Sequence, residues 1–84
     1  MSEVRKLNDG HVHEAIDRID VSINYLQAAL AEHALISAVE NFDYDVQAAI
    51  EILADLYQKI GSFESVSEIS HKYGLKKEYV VANT

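Results

Sequence analysis

The chain has no cysteine, no proline and no tryptophan, and only three glycines. Without cysteine there are no disulfides and no thiolate metal sites. Without proline, nothing forces a helix to kink or stop, so long uninterrupted helices are expected. Apolar runs never exceed a few residues, too short for a membrane-spanning helix. The opening MSEVRKLNDGHVHE has no apolar run after its basic pair, so no secretory signal is expected and the chain reads as a cytoplasmic protein. Basic charge is scarce in the middle: the 40 residues from Ile19 to Gln58 hold no Lys or Arg and seven acids. The formal net charge of −7 opposes non-specific attachment to nucleic acid over most of the surface.

What is present is a small, apolar-rich chain. Its 84 residues make one domain, and 49% of them are hydrophobic. A domain of this size buries only about 60–65% of its unfolded surface and is marginal by itself. With no disulfide or metal to staple it, self-association is the remaining remedy.

Residues 1–9 read as a flexible tail, with Asp9 the expected N-cap of the first helix. From there Val12, Ile16, Ile19, Ile23, Leu26 and Leu30 follow one another in steps of four and three, a heptad-like helical seam. A second seam of the same steps joins Leu35, Val39, Phe42, Val46, Ala49, Leu53, Leu56 and Ile60. The two are out of phase. Leu30 to Leu35 is a step of five, which rotates the stripe by roughly 140°.

The chain can reverse at either of two places. Residues 31–34 sit at the phase break, but alanine and glutamate favour helix there. Residues 41–45 carry Asn41, Asp43 and Asp45, whose side chains compete with the backbone and suit turns. The second place is preferred. It predicts a long helix over residues 10–40 and a shorter one over 44–60, forming a helical hairpin over 10–61, with Gly61 ending the second helix in the left-handed region. The longer helix overhangs its partner, and the second carries more apolar positions, Ile50 and Tyr57 among them, than one buried face needs. Both features point to an all-α fold that assembles as a dimeric four-helix-type bundle. Its dimer core would comprise Ile16, Ile19, Ile23, Leu26 and Leu30 from the first helix, and Val46, Ile50, Leu53 and Tyr57 from the second.

Residues 62–84 differ in character. Ser65-Val66-Ser67-Glu68 has capping-box spacing for a short helix to about Tyr73, ended by Gly74. A further short helix is expected over residues 75–82. The stretch VSEISHKYGLKKEYVV resembles the helix-turn-helix unit of many bacterial regulators. Ile69, Tyr73, Leu75 and Val80 stand at its apolar positions, Gly74 at its turn, and Ser70 where such units usually hold alanine. The resemblance implies a DNA-binding role in which Lys72, Lys76 and Lys77 meet nucleic acid. The other reading of the segment is two short helices that cap the bundle.

No catalytic or cofactor set emerges. His11 and His13 beside Glu14 suggest a metal site, but positions two apart lie on different helix faces. His33, near the phase break, is either a pH-sensitive interface residue or an inert one, and His71 reads as part of a solvated face. Asp43, Asp45, Glu51 and Asp55 have no nucleophile or phosphate loop to work with. Phe42, Asp43, Tyr44 and Asp45 form a mixed aromatic–acidic stretch. It is either a staple around a helix start or an anchor surface for another protein with a basic surface. The expectation for function is a small acidic homodimeric interaction module, a regulatory inhibitor or antiactivator of bacterial or phage type that binds a regulator protein. The alternative is a small helix-turn-helix regulator.

Overall fold

The computed structural model describes residues 4–82. In chain order it contains strand β1 (Arg5–Leu7), helix α1 (Asp9–Leu26), a π-helical turn (Gln27–Ala31), helix α2 (Ala34–Ala38), helix α3 (Glu40–Gly61), helix α4 (Val66–Tyr73) and strand β2 (Tyr79–Val81). The fold is mostly helical, with α1 and α3 packed together as a hairpin. The two strands form a small parallel pair in which Arg5 faces Tyr79, Lys6 faces Val80 and Leu7 faces Val81.

Helix α1 follows its seam, but α3 buries a face turned partly away from the second seam: Phe42, Ala49 and Leu56 of that seam are exposed, and Ile50 and Tyr57 point inward instead. On α1, Val12 and Ile19 are buried and Ile16, Ile23 and Leu26 are half-buried. On α3, Ile50 is buried, and Val46, Leu53, Tyr57 and Ile60 are half-buried along steps of three and four. At 18 and 22 residues these helices are about 27 and 33 Å long. The second is therefore the longer one, contrary to the expected overhang of the first.

The difference comes from where the chain reverses. It turns at the phase break, at Glu32 and His33, and not at residues 41–45. The π turn admits one extra residue per turn, which shifts the facing position from Leu30 to Ala31. Ala31 is half-buried, while Leu30, expected in the core, is 38% exposed. His33 then starts α2, its Nδ1 accepting the Leu35 N–H at 3.1 Å. The Ser37 hydroxyl donates to the Ala31 carbonyl at 2.9 Å and so occupies a carbonyl that the broken helix leaves free. Val39, in extended conformation, separates α2 from α3. Glu40 and Asp43 therefore lie in the first turn of α3, where the helix dipole favours negative charge. The acidic cluster serves a helix start, not a loop.

Both ends of the chain depart from expectation. Residues 5–7, assigned to a tail, are paired, and the helix expected over residues 75–82 is absent. Gly74 (φ 78°, ψ 165°) sends the chain out in extended form, and Tyr79-Val80-Val81 then forms β2. An aromatic followed by two β-branched residues suits a strand when a partner is at hand, and Arg5–Leu7 is that partner. The Arg5 N–H donates to the Glu78 carbonyl and the Ala82 N–H to the Leu7 carbonyl, each at 2.7 Å. The Arg5 guanidinium also lies 5.9 Å from the centre of the Tyr79 ring. Helix α4 begins as expected, the Ser65 hydroxyl accepting the Glu68 N–H at 3.2 Å. Two smaller corrections concern caps. Asn8, not Asp9, is the N-cap of α1, and Gly61 is the last residue of α3 itself, its end capped by Ser62 in right-handed conformation.

The core is small. Among the described residues Val12, Ile19, Ile50 and Val66 are the buried hydrophobic ones, and none of the four is completely enclosed. The chain exposes 6677 Å², against about 5,000 Å² expected for a compact monomer of its 9.4 kDa mass. The radius of gyration is 16.6 Å, against about 12 Å for a compact domain of this length.

Candidate interaction surface

Helix α3 presents two exposed flanks of opposite chemistry beside its buried seam. On one flank Phe42, Ala49 and Leu56 recur every seven residues, with Asp45, Ile52 and Lys59 interleaved three residues after each. Positions seven apart drift by only about 20° around a helix, so these residues line one strip. All six are exposed, with Phe42 at 44%, Leu56 at 38% and Ile52 at 68%. On the other flank stand Tyr44, Glu51 and Asp55, also at helical spacing and also exposed, with Tyr44 at 72%.

The apolar strip runs into a groove between the end of α3 and α4. The groove has a volume of about 280 Å³ and is lined by Leu56, Lys59, Ile60, Phe63, Ile69 and Tyr73. Phe63 and Tyr73 meet edge to face, centroids 5.9 Å apart and planes at 76°, a favoured aromatic geometry. The Lys72 ammonium sits 6.0 Å from the Phe63 centroid and 5.9 Å from that of Tyr73. The groove is thus apolar within, with Lys59 and Lys72 beside it, in a chain that is acidic as a whole. A second apolar hollow, between Leu7, Val12, Ala15, Val66 and Leu75, lies where β1, α1 and α4 converge.

The nine residues expected in a dimer core divide accordingly. Eight lie on the buried or half-buried faces of α1 and α3 in the hairpin of one chain, and Leu30 is turned outward. The neighbouring strip is a correction to the second seam: Phe42, Ala49 and Leu56, expected on the buried face, are exposed beside Ile52. Phe42, Asp43, Tyr44 and Asp45, adjacent in sequence, do not share a surface. Phe42 and Asp45 lie on the apolar flank, Asp43 is half-buried towards the seam, and Tyr44 is on the far flank about 160° from Phe42. Of the three lysines considered for nucleic acid, Lys72 stands over two rings, and Lys76 and Lys77 occupy the exposed link between Gly74 and β2. No recognition helix carries them.

The HVHE stretch is likewise dispersed. His11 Nδ1 accepts the Asn8 N–H at 3.0 Å, and Glu14 pairs with Arg18 at 3.1 Å on the exposed face of α1. Among the described residues no group of three or more His, Asp or Glu is placed to hold a metal ion, and no helix is long and apolar enough to cross a membrane.

The continuity of the strip with the groove was hidden from sequence reasoning, because α4 had to be placed beside α3 first. The seven-residue recurrence Phe42, Ala49, Leu56, Phe63 was the signal that could have found it. Comparison with known proteins gives no match to a protein-family model, to a curated protein or to a solved structure.

Proposed function

We propose that the chain is a small acidic homodimeric interaction module, cytoplasmic and without catalytic activity, that binds a regulator protein and inhibits it by covering its surface. The observation that carries this reading is the pair of unlike flanks on α3. An exposed apolar strip is costly to leave in water and suits a permanent contact. An aromatic–acidic flank suits a reversible one, with Tyr44 as anchor and Glu51 and Asp55 steering a basic surface into register. A chain that buries four hydrophobic residues among those described and exposes far more area than a compact monomer also has reason to self-associate.

Two measurements test the reading. Light scattering over a concentration series should give twice the 9.4 kDa chain mass at micromolar protein, in low and in high salt. A monomer throughout removes the homodimer. For the partner, the immobilised parent protein should retain one basic protein from its source cells that Tyr44→Ala and Glu51→Lys chains release, while both variants remain dimeric. Equal retention by all three overturns the role of that flank.

A further inference from the structure

We propose that two copies of this chain associate through the apolar flank of α3, antiparallel about a two-fold axis near Ile52, with Phe42 of each copy seated in the groove of the other. The proposal rests on the homodimer reading above and assigns it a surface and a register.

Charge sets the direction. Asp45 and Lys59 lie on the same strip, 14 residues and so about 21 Å apart along α3. That is well beyond the screening length of about 8 Å at physiological salt, so they do not neutralise each other within one chain. Parallel copies would put like charges together at both ends. Antiparallel copies put Asp45 against the partner's Lys59, and the symmetry repeats the pair.

Size sets the register. With Ile52 facing the partner's Ile52, Ala49 falls within one residue of the partner's Leu56, about 1.5 Å along the helix, small against large. Phe42 then falls within one residue of the partner's Phe63, at the groove. A volume of about 280 Å³ is below the usual range for a drug-sized ligand but suits one aromatic ring. The walls offered by Phe63 and Tyr73, with Lys72 above both, add ring–edge and cation contacts.

The area agrees. A standard interface takes about 800 Å² from each partner. The chain exposes 6677 Å², which is roughly 1,700 Å² more than a compact monomer of its mass. One such interface accounts for about half of that surplus.

Because the chain lacks cysteine, single substitutions report the register directly. On mild oxidation Ile52→Cys should form a covalent dimer, since the axis brings the two sulfurs together, while Tyr44→Cys on the far flank should stay uncrosslinked. Asp45→Lys and Lys59→Glu should each weaken the dimer by about tenfold or more. The two together, which restore opposite charges across the interface, should return it to within about threefold of the parent. Phe42→Ala should weaken the dimer with the helical signal intact. If the parent is dimeric but Tyr44→Cys crosslinks and Ile52→Cys does not, or if the double charge variant is as weak as either single one, the register is overturned and the homodimer stands. If Phe42→Ala leaves the dimer unchanged, the groove belongs to another occupant. If the parent is monomeric, the homodimer and its register fall together.

Discussion

The Val66 backbone N–H donates to the Asp9 carboxylate at 3.0 Å, across 57 residues of chain. Asp9 opens α1 and Val66 opens α4. One carboxylate thus sits in the first turn of one helix and takes the first orphan donor of another. Val66 is among the four buried hydrophobic residues, so its amide has little access to water as a substitute.

Removing that acceptor should be felt directly. Asp9→Ala is expected to cost about 1.5–3 kcal/mol, the range for a hydrogen bond to a charged group. Asp9→Asn keeps an oxygen in place and should lose less than half as much. Urea denaturation of the three proteins checks both values. An Asp9→Ala chain as stable as the parent would mean that the bond between the two helix starts contributes nothing.

Two glycines should respond with opposite sign. Gly74 has φ 78° and ψ 165°, a conformation nearly confined to glycine, so Gly74→Ala should cost about 1–3 kcal/mol although space around it is open. Gly61 is helical and has no neighbour within 4 Å of an added Cβ. Gly61→Ala should therefore stabilise by about 0.5–1 kcal/mol. Thermal melts of the two variants should move in opposite directions.

The strand pair depends on main-chain donors. Arg5→Pro deletes the N–H that reaches the Glu78 carbonyl at 2.7 Å. Once the pair opens, the Ala82 N–H, bonded to the Leu7 carbonyl, should exchange with deuterium at the rate of a free amide while the amides of α3 stay protected. Unchanged protection at Ala82 would show that β2 holds without β1.

His33 acts as a cap, with its ring nitrogen on the Leu35 N–H. His33→Ala should lower stability by about 0.5–1 kcal/mol, and His33→Asp, a stronger capping residue, should equal or exceed the parent. Calorimetry separates the two. If both variants lose equally, the histidine serves the reversal by packing and not by capping.

Much of the helical framework was legible in the sequence, because it rests on local rules. The three-and-four spacing of Val12, Ile16, Ile19 and Ile23, and of Val46, Ile50, Leu53 and Tyr57, marks helix without reference to anything distant. Ser65 and Glu68 announce the start of α4 by the same locality. The phase break after Leu30 also stood in the sequence. Its meaning was missed because residues 31–34 look helical, whereas Asn41, Asp43 and Asp45 look like a turn. The π turn and the His33 cap resolve the competition in favour of the phase break.

By itself the sequence determined a cysteine-free, acidic, mainly helical chain with two apolar seams and more hydrophobic surface than one hairpin needs. The tertiary structure alone decided that Tyr79–Val81 is a strand, since its partner Arg5–Leu7 lies at the other end of the chain. It alone led the strip of Phe42, Ala49 and Leu56 into the groove beside α4. The physical reason is the reach of the interactions. Helix periodicity and capping act over three or four residues and are written locally. Strand pairing and the covering of an apolar face depend on which distant segment arrives there.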